Sequence, residues 1–141
     1  MATEPQTAKA VVRRYTEEGY NEENPAVIEE TVADDVVVHG LHGVDGSLHG
    51  SDAYLEWAGD LFRAMPDAEV ETEALIAEGD MAAVHWTISG TQEGQLGELP
   101  ATGESFTMRA LAFFRIEDGE IVEKWYNPDE LSMLEQLGLA D

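Results

Sequence analysis

Thirty Asp and Glu against seven Lys and Arg give this 141-residue chain a formal charge of −23, and it has no cysteine. The length suits one domain with a core of its own, so residues 1–141 are read as a single unit. Disulfides and thiolate metal sites are excluded, and so strong an acidity makes nucleic acid and anionic membranes poor partners.

Self-repulsion on this scale opposes the compact state in dilute buffer. At ~1 M salt the Debye length falls to about 3 Å, and most of that cost disappears. Only Lys9 and Lys124 are lysines, the other basic residues are arginines, and the acids are spread along the chain. The composition therefore points to a salt-rich cell interior, as in a halophilic archaeon, with an acidic mesophilic protein as the alternative. Met1–Pro5 offers neither a basic nor an apolar leader. No apolar run approaches the ~18 residues of a membrane span, and the expectation is a cytoplasmic protein.

Helices come first. Ala8, Val11, Val12 and Tyr15 recur at helical spacing behind Pro5, which suits a first helical position. Asn24-Pro25 opens a second short helix with Val27, Ile28, Thr31 and Val32 on one face. Val36–Val38 reads as a strand, and Gly40, Gly43, Gly46 and Gly50 as a loop behind it. Ser51 is placed to cap a third helix, whose stripe is Tyr54, Leu55, Ala58, Leu61, Phe62 and Met65, ended by Pro66.

Strands follow. Val70, Thr72, Ala74 and Ile76 alternate up to a Glu78-Gly79-Asp80 turn. Ala82, Val84, Trp86 and Ile88 then share one face, and Phe106 to Ile116 alternate in the same way. Asp118-Gly119 signals a hairpin into a last strand, Ile121–Tyr126. Asn127, Pro128 and Glu130 supply a cap, a first-turn proline and an N3 acid for a final helix, which Gly138 closes. Helices followed by a run of antiparallel strands is an α+β pattern.

Several segments recur together in one known family: Ile76–Asp80, Trp86–Thr91, Pro100–Gly103, Phe114–Trp125 and Leu134–Gly138. With them the chain resembles the SnoaL-like polyketide cyclases, or ester cyclases, over nearly its whole length. The resemblance implies the cone of nuclear-transport-factor-like, cystatin-like proteins: a curved antiparallel sheet wrapped around N-terminal helices with a central apolar pocket. It also implies dimers or higher oligomers packed through the outer sheet face. The reaction it implies is an intramolecular aldol closure with no metal or cofactor, driven by an aspartate base and an assisting histidine. Aligned on the Asp-Gly hairpin, the aspartate position is held by Tyr126 and the histidine position by Ala112. A phenol is a weak base at neutral pH and alanine has no proton chemistry. Asp129 matches a different family acid, whose simpler role is favourable charge at a helix N-terminus.

Strand alternation supplies replacements. If Tyr126 faces inward, so do Lys124 and Val122, and Lys124 beside Tyr126 would lower the phenol's pKa and polarise a carbonyl or bind a carboxylate. The alternative is a surface-paired lysine and a lining tyrosine. His39 closes the first strand at the expected pocket mouth and is the third catalytic candidate, with a structural histidine as its alternative. His42 and His49, near Asp45, read as solvated loop residues rather than a metal site. Tyr54, Phe62, Trp86, Met108, Ala112 and Phe114 are the expected ligand-binding walls, for an apolar carbonyl-containing small molecule. Two functions follow: cofactor-free isomerisation, cyclisation or hydrolysis, or a binding module that kept the pocket without the catalysis. Leu111 and Phe113, on the outward face with Thr107, Arg109 and Arg115, predict a homo-oligomer.

Overall fold

The computed structural model describes residues 4–140, so the reading of Met1–Thr3 as free of a leader lies outside the described residues. Helix α1 (Glu4–Arg14) runs on into a π-helical turn (Tyr15–Tyr20), followed by α2 (Pro25–Thr31) and α3 (Ser51–Ala64). The strands are β1 (Val32–His39), β2 (Ser47–His49), β3 (Glu69–Glu78), β4 (Met81–Thr91), β5 (Ser105–Glu117) and β6 (Glu120–Pro128), and α4 (Glu130–Gln136) closes the chain. The sheet has the order β2-β1-β6-β5-β4-β3, antiparallel except where β1 runs parallel to β6. It is curved and does not close, and α1 lies against β3, β4, β5 and β6 on its concave side. No described helix is long and apolar enough to cross a membrane.

Most of the elements arise where the local chemistry places them. The Asn24 side chain accepts from Ala26 N–H with Pro25 at the start of α2, and Val27, Ile28 and Thr31 are buried. Asp118 and Gly119 take φ of 52° and 78°, the double left-handed turn that joins twisted strands. In α4 the cap differs from the expectation. Pro128 completes β6, and it is Asp129 whose carboxylate accepts from Ser132 N–H. Gly138 closes the helix with φ of 77°, while Leu139 N–H bonds Leu134 O and Gly138 N–H bonds Glu135 O, a Schellman ending. Ser51 does not cap α3 through its side chain. Gly50 holds that position with φ of 94°, tied to β1 by its N–H on Val36 O at 2.7 Å.

Two bulges correct simple alternation. In β3, Thr72 pairs with Trp86 and Ala74 with His85, so Glu73 is an extra residue and the inward face passes to Leu75 and Ala77. Ile76, which unbroken alternation would put on the face of Val70 and Thr72, is 67% exposed as a result. In β6, Ile116 pairs with Ile121 but Arg115 with Glu123, which leaves Val122 as the extra residue. Ile121 therefore turns into the core in place of Val122, and Lys124 and Tyr126 keep their inward positions.

The core has two parts. Ala8, Val12, Tyr15, Ile28, Val36, Tyr54, Trp86, Phe114 and Ile121 belong to the larger, between helices and sheet. Met65, Leu96, Phe106, Met108, Met133 and Leu137 form a smaller cluster under α4. One close approach in the larger part admits only glycine: a Cβ on Gly19 would stand 2.9 Å from Ile28 Cγ1.

Candidate active site

A cavity opens where the two core clusters meet, with about 90 Å³ open to the centre of a water molecule. That is several times the ~10–15 Å³ one buried water needs. Its walls are mainly apolar: Trp57, Leu61, Phe62, Met65, Trp86, Ile88, Leu96, Phe106, Met108 and Met133 all line it. The polar side chains in the lining are Thr16, Tyr20, His42, Lys124, Tyr126 and Glu130, apart from the indole N–H groups.

Lys124 reaches this cavity from the middle of β6 and is 4% exposed. Its cross-strand neighbours are Phe114 on one side and Val38 on the other. Its Nζ donates to Tyr15 Oη at 3.0 Å and to Tyr54 Oη at 3.4 Å, and it has no carboxylate partner among the described residues. Six aromatic rings surround it, with centroids from 4.7 Å (Tyr126) to 5.8 Å (Tyr54) away. Desolvation brings its pKa down from 10.5 to about 7, so at neutral pH the amine and the ammonium coexist.

The phenols move the other way. Tyr15, Tyr20 and Tyr54 hydrogen-bond one another, and burial pushes all three pKa values up. Tyr126 is also raised, first by desolvation, then by the charge environment of Tyr20 and Glu130. The expected lowering of Tyr126 by its lysine neighbour does not occur, because loss of water penalises the phenolate more than a half-neutral amine can compensate. Tyr126 therefore stays protonated, as donor and wall.

Across β5, Ala112 lies directly opposite Tyr126. Strands two apart in a sheet are about 9–10 Å apart. The Trp86 and Tyr126 rings nonetheless come to 6.2 Å, leaning toward each other across the small Ala110 and Ala112. Gly40 fixes the same end of β6: at φ of 89°, a Cβ there would stand 2.1 Å from Tyr126 O.

His42, expected as a solvated loop residue, and Glu130, expected only as a helix-cap acid, are brought together at the cavity. His42 Nδ1 is hydrogen-bonded to a Glu130 carboxylate oxygen, and the His42 carbonyl accepts from Trp57 Nε1 at 3.3 Å. The loop of glycines delivers one and the start of α4 the other, so no spacing in the chain announces the pair. A histidine held by a carboxylate has its tautomer fixed, with Nε2 left as the basic atom.

Of the other predicted residues, Phe62, Trp86 and Met108 line the cavity. Tyr54, Ala112 and Phe114 are buried in the core beside it, with Tyr54 bonded to the lysine. His39 lies on the outer side of the sheet. It bonds Ser47 Oγ and Glu123 Oε2, each at 2.7 Å, and stacks on Trp125. Glu123, shared with Arg115, has its carboxyl pKa lowered by the His39 bond first and by Arg115 second. His39 is thus part of a surface network remote from the cavity lining. No group of three or more His, Cys, Asp or Glu that could hold a metal occurs among the described residues.

A model of the SnoaL-like polyketide cyclase family matches residues 10–137. The chain belongs to this family. Among solved structures, one from Jannaschia sp. CCS1 assigned to the SnoaL-like polyketide cyclases superposes with a TM-score of 0.88 at 21% identity, covering 100% of this chain and 98% of that one. IdmH of Streptomyces antibioticus, assigned as a polyketide cyclase, gives 0.78 at 26% identity, covering 93% and 98%. TsrD from Streptomyces laurentii gives 0.82 at 25% identity, covering 95% and 96%. No curated protein matches the chain by sequence. The α+β cone expected from the resemblance is the fold of this family, with β1–β6 as its parallel pairing.

Proposed function

We propose that this family member carries out cofactor-free acid–base chemistry on an apolar carbonyl compound held in the cavity. The observation that carries the reading is that a mainly apolar cavity gathers Lys124 and the His42–Glu130 pair in its wall. His42 Nε2 takes the proton beside the carbonyl, and Glu130 steadies the imidazolium that forms. Lys124 and the Trp86 indole N–H stabilise the charge that develops on oxygen. That indole N–H is buried without a partner among the described residues, as a donor reserved for a ligand would be. Tyr126 closes the wall beside Lys124.

The test is exchange of α-protons for solvent deuterium in 3-phenylpropanal, followed by NMR in molar salt. Wild type is expected to exchange, and His42→Gln and Glu130→Gln to lose most of the rate, by ~10²–10⁴-fold for the first. Exchange equal to buffer alone in wild type would sink the catalytic reading.

A second reading, binding without turnover, is favoured by Tyr126 and Ala112 at the positions where the resemblance puts an aspartate and a histidine. It would show as saturable uptake of the aldehyde with no exchange. For either reading, the partner of the outer sheet face is a second copy of the chain. Ile76, Leu111 and Phe113 are 67%, 59% and 56% exposed there, which supports an apolar contact.

A further inference from the structure

Acid–base chemistry requires of Lys124 only that it sit near an oxygen. Its surroundings suit a different task. A lysine whose role is structural normally finds a carboxylate, and this acidic chain offers many, yet Lys124 forms no ion pair among the described residues. The Nζ is instead held by two phenol oxygens inside an aromatic enclosure and borders the cavity.

We propose that Lys124 is a nucleophile, whose Nζ condenses with an aldehyde or ketone in the cavity and holds it as an iminium ion. The inference rests on the carbonyl reading of the cavity and narrows the substrate to aldehydes and ketones, excluding esters and acids.

The step balances without any added reagent. The nitrogen lone pair forms a bond to the carbonyl carbon, the C=O π pair moves to oxygen, and one proton passes from that nitrogen to the oxygen. The resulting carbinolamine takes a second proton on oxygen and loses water, leaving C=N⁺. Removal of an α-proton by His42 then sends the C–H pair into a C=C bond and returns the lone pair to nitrogen, giving an enamine. Hydrolysis of the reprotonated iminium releases the carbonyl compound and the free amine. The base and the amine are the cavity's own groups, and the buried Trp86 N–H is free to meet the oxygen.

The amine must be unprotonated to attack, and burial away from water favours that form. The titratable groups facing Lys124 are Tyr15 and Tyr20 from the π-turn, Tyr54 from α3 and Tyr126 from its own strand. Burial keeps all four as neutral phenols, and no carboxylate among the described residues lies within ion-pair distance to hold the ammonium. His42 and Glu130, from the glycine loop and α4, share the cavity but bond each other. With its own pKa near 7, Lys124 is about half neutral at pH 7. An ordinary lysine is neutral there to roughly one part in 10³.

The experiment is reductive trapping. The full chain, in molar salt near neutral pH, is treated with 3-phenylpropanal and cyanoborohydride, then digested for peptide mass spectrometry. Each trapped amine gains the mass of the aldehyde less one oxygen. The chain has two lysines, so Lys9 is an internal control. The expected result is an adduct on Lys124 that forms at least ~100-fold faster than on an ordinary lysine, from the neutral fraction. Adduct at Lys9 or the amino terminus with none at Lys124 would overturn the inference. Because the adduct is sought in wild type, the result does not depend on a variant that folds. A Lys124→Arg chain, which keeps a charge but cannot condense, is expected to lose the adduct and the α-proton exchange together. If exchange proceeds in wild type with no Lys124 adduct, the nucleophile is refuted while acid–base catalysis stands. If neither occurs, both fall.

Discussion

Replacing Lys124 by methionine tests the energetics on which the site depends. In the fold this lysine titrates at about 7, against an ordinary value of 10.5, because burial removes water from the ammonium. Between those two pH values the unfolded chain binds one proton more than the folded one. Lys124 therefore lowers stability across that window, and the cost eases as pH rises and both states become neutral. Below about pH 7 both states carry the proton and the cost is at its full value, of order 5 kcal/mol at ~1.4 kcal/mol per pKa unit. Lys124→Met keeps an apolar stem of similar length and removes the charge. It is expected to be more stable than wild type by a few kcal/mol at pH 7, with the advantage shrinking by ~1.4 kcal/mol per pH unit up to about pH 10. Urea unfolding of both chains, in constant molar salt across that range, measures it. The difference between the two chains cancels the titration of the other acids and bases. A difference that stays flat with pH would mean that Lys124 keeps an ordinary pKa, and the account of a half-neutral amine would be refuted.

Thermal unfolding across a salt series is expected to show stability rising steeply from dilute buffer to molar salt, as the charge of −23 is screened; a flat response would refute the salt-adapted reading. Phe113→Glu is expected to convert a dimer into a monomer in light scattering at high salt, and a monomeric wild type would refute the proposed contact. Gly40→Ala places a Cβ against Tyr126 O at a left-handed φ, and is expected to cost ~2 kcal/mol or more in urea unfolding and to shift β6 against the cavity. Tyr126→Phe is expected to leave α-proton exchange within about threefold of wild type, because the buried phenol stays protonated and is not the base. A loss of ~10²-fold in that variant would restore Tyr126 as a working acid.

The fold was legible because its signals are local. Asn24-Pro25, Asp118-Gly119 and Gly138 each act within a few residues, and the alternation of β4 and β5 follows from burying one face of a sheet. The departures in β3 and β6 have one physical cause. A bulge adds a residue that period-two counting cannot see, and at Glu73 and Val122 nothing in the side chains marks it. In β6 the bulge lies before Lys124, so the pairing of Lys124 with Tyr126 was legible while Val122 was not.

The site was legible only where it lies along one strand. Lys124 and Tyr126 are two residues apart, and strand geometry alone puts them together. His42 and Glu130 are 88 residues apart, on a loop and at a helix start, and meet only through the packing of α4 against the sheet. His39 drew attention because it ends a strand, but alternation decides its side: Val38 is buried at 1%, so the next side chain must face out. The same geometry explains why this family member need not keep the base where its relatives are expected to have it. A carboxylate at position 126 would stand beside Lys124 and pair with it, holding the amine charged. A protonated phenol there leaves the lysine unpaired, and in the proposed chemistry the proton-accepting role passes to His42 and Glu130 elsewhere on the cavity wall. On the proposed reading, a tyrosine where the resemblance expects an aspartate and the depressed lysine are two sides of one substitution. Tyr126→Asp is accordingly expected to raise the Lys124 pKa toward its ordinary value and to abolish trapping by cyanoborohydride near pH 7. Undiminished trapping in that variant would separate the two.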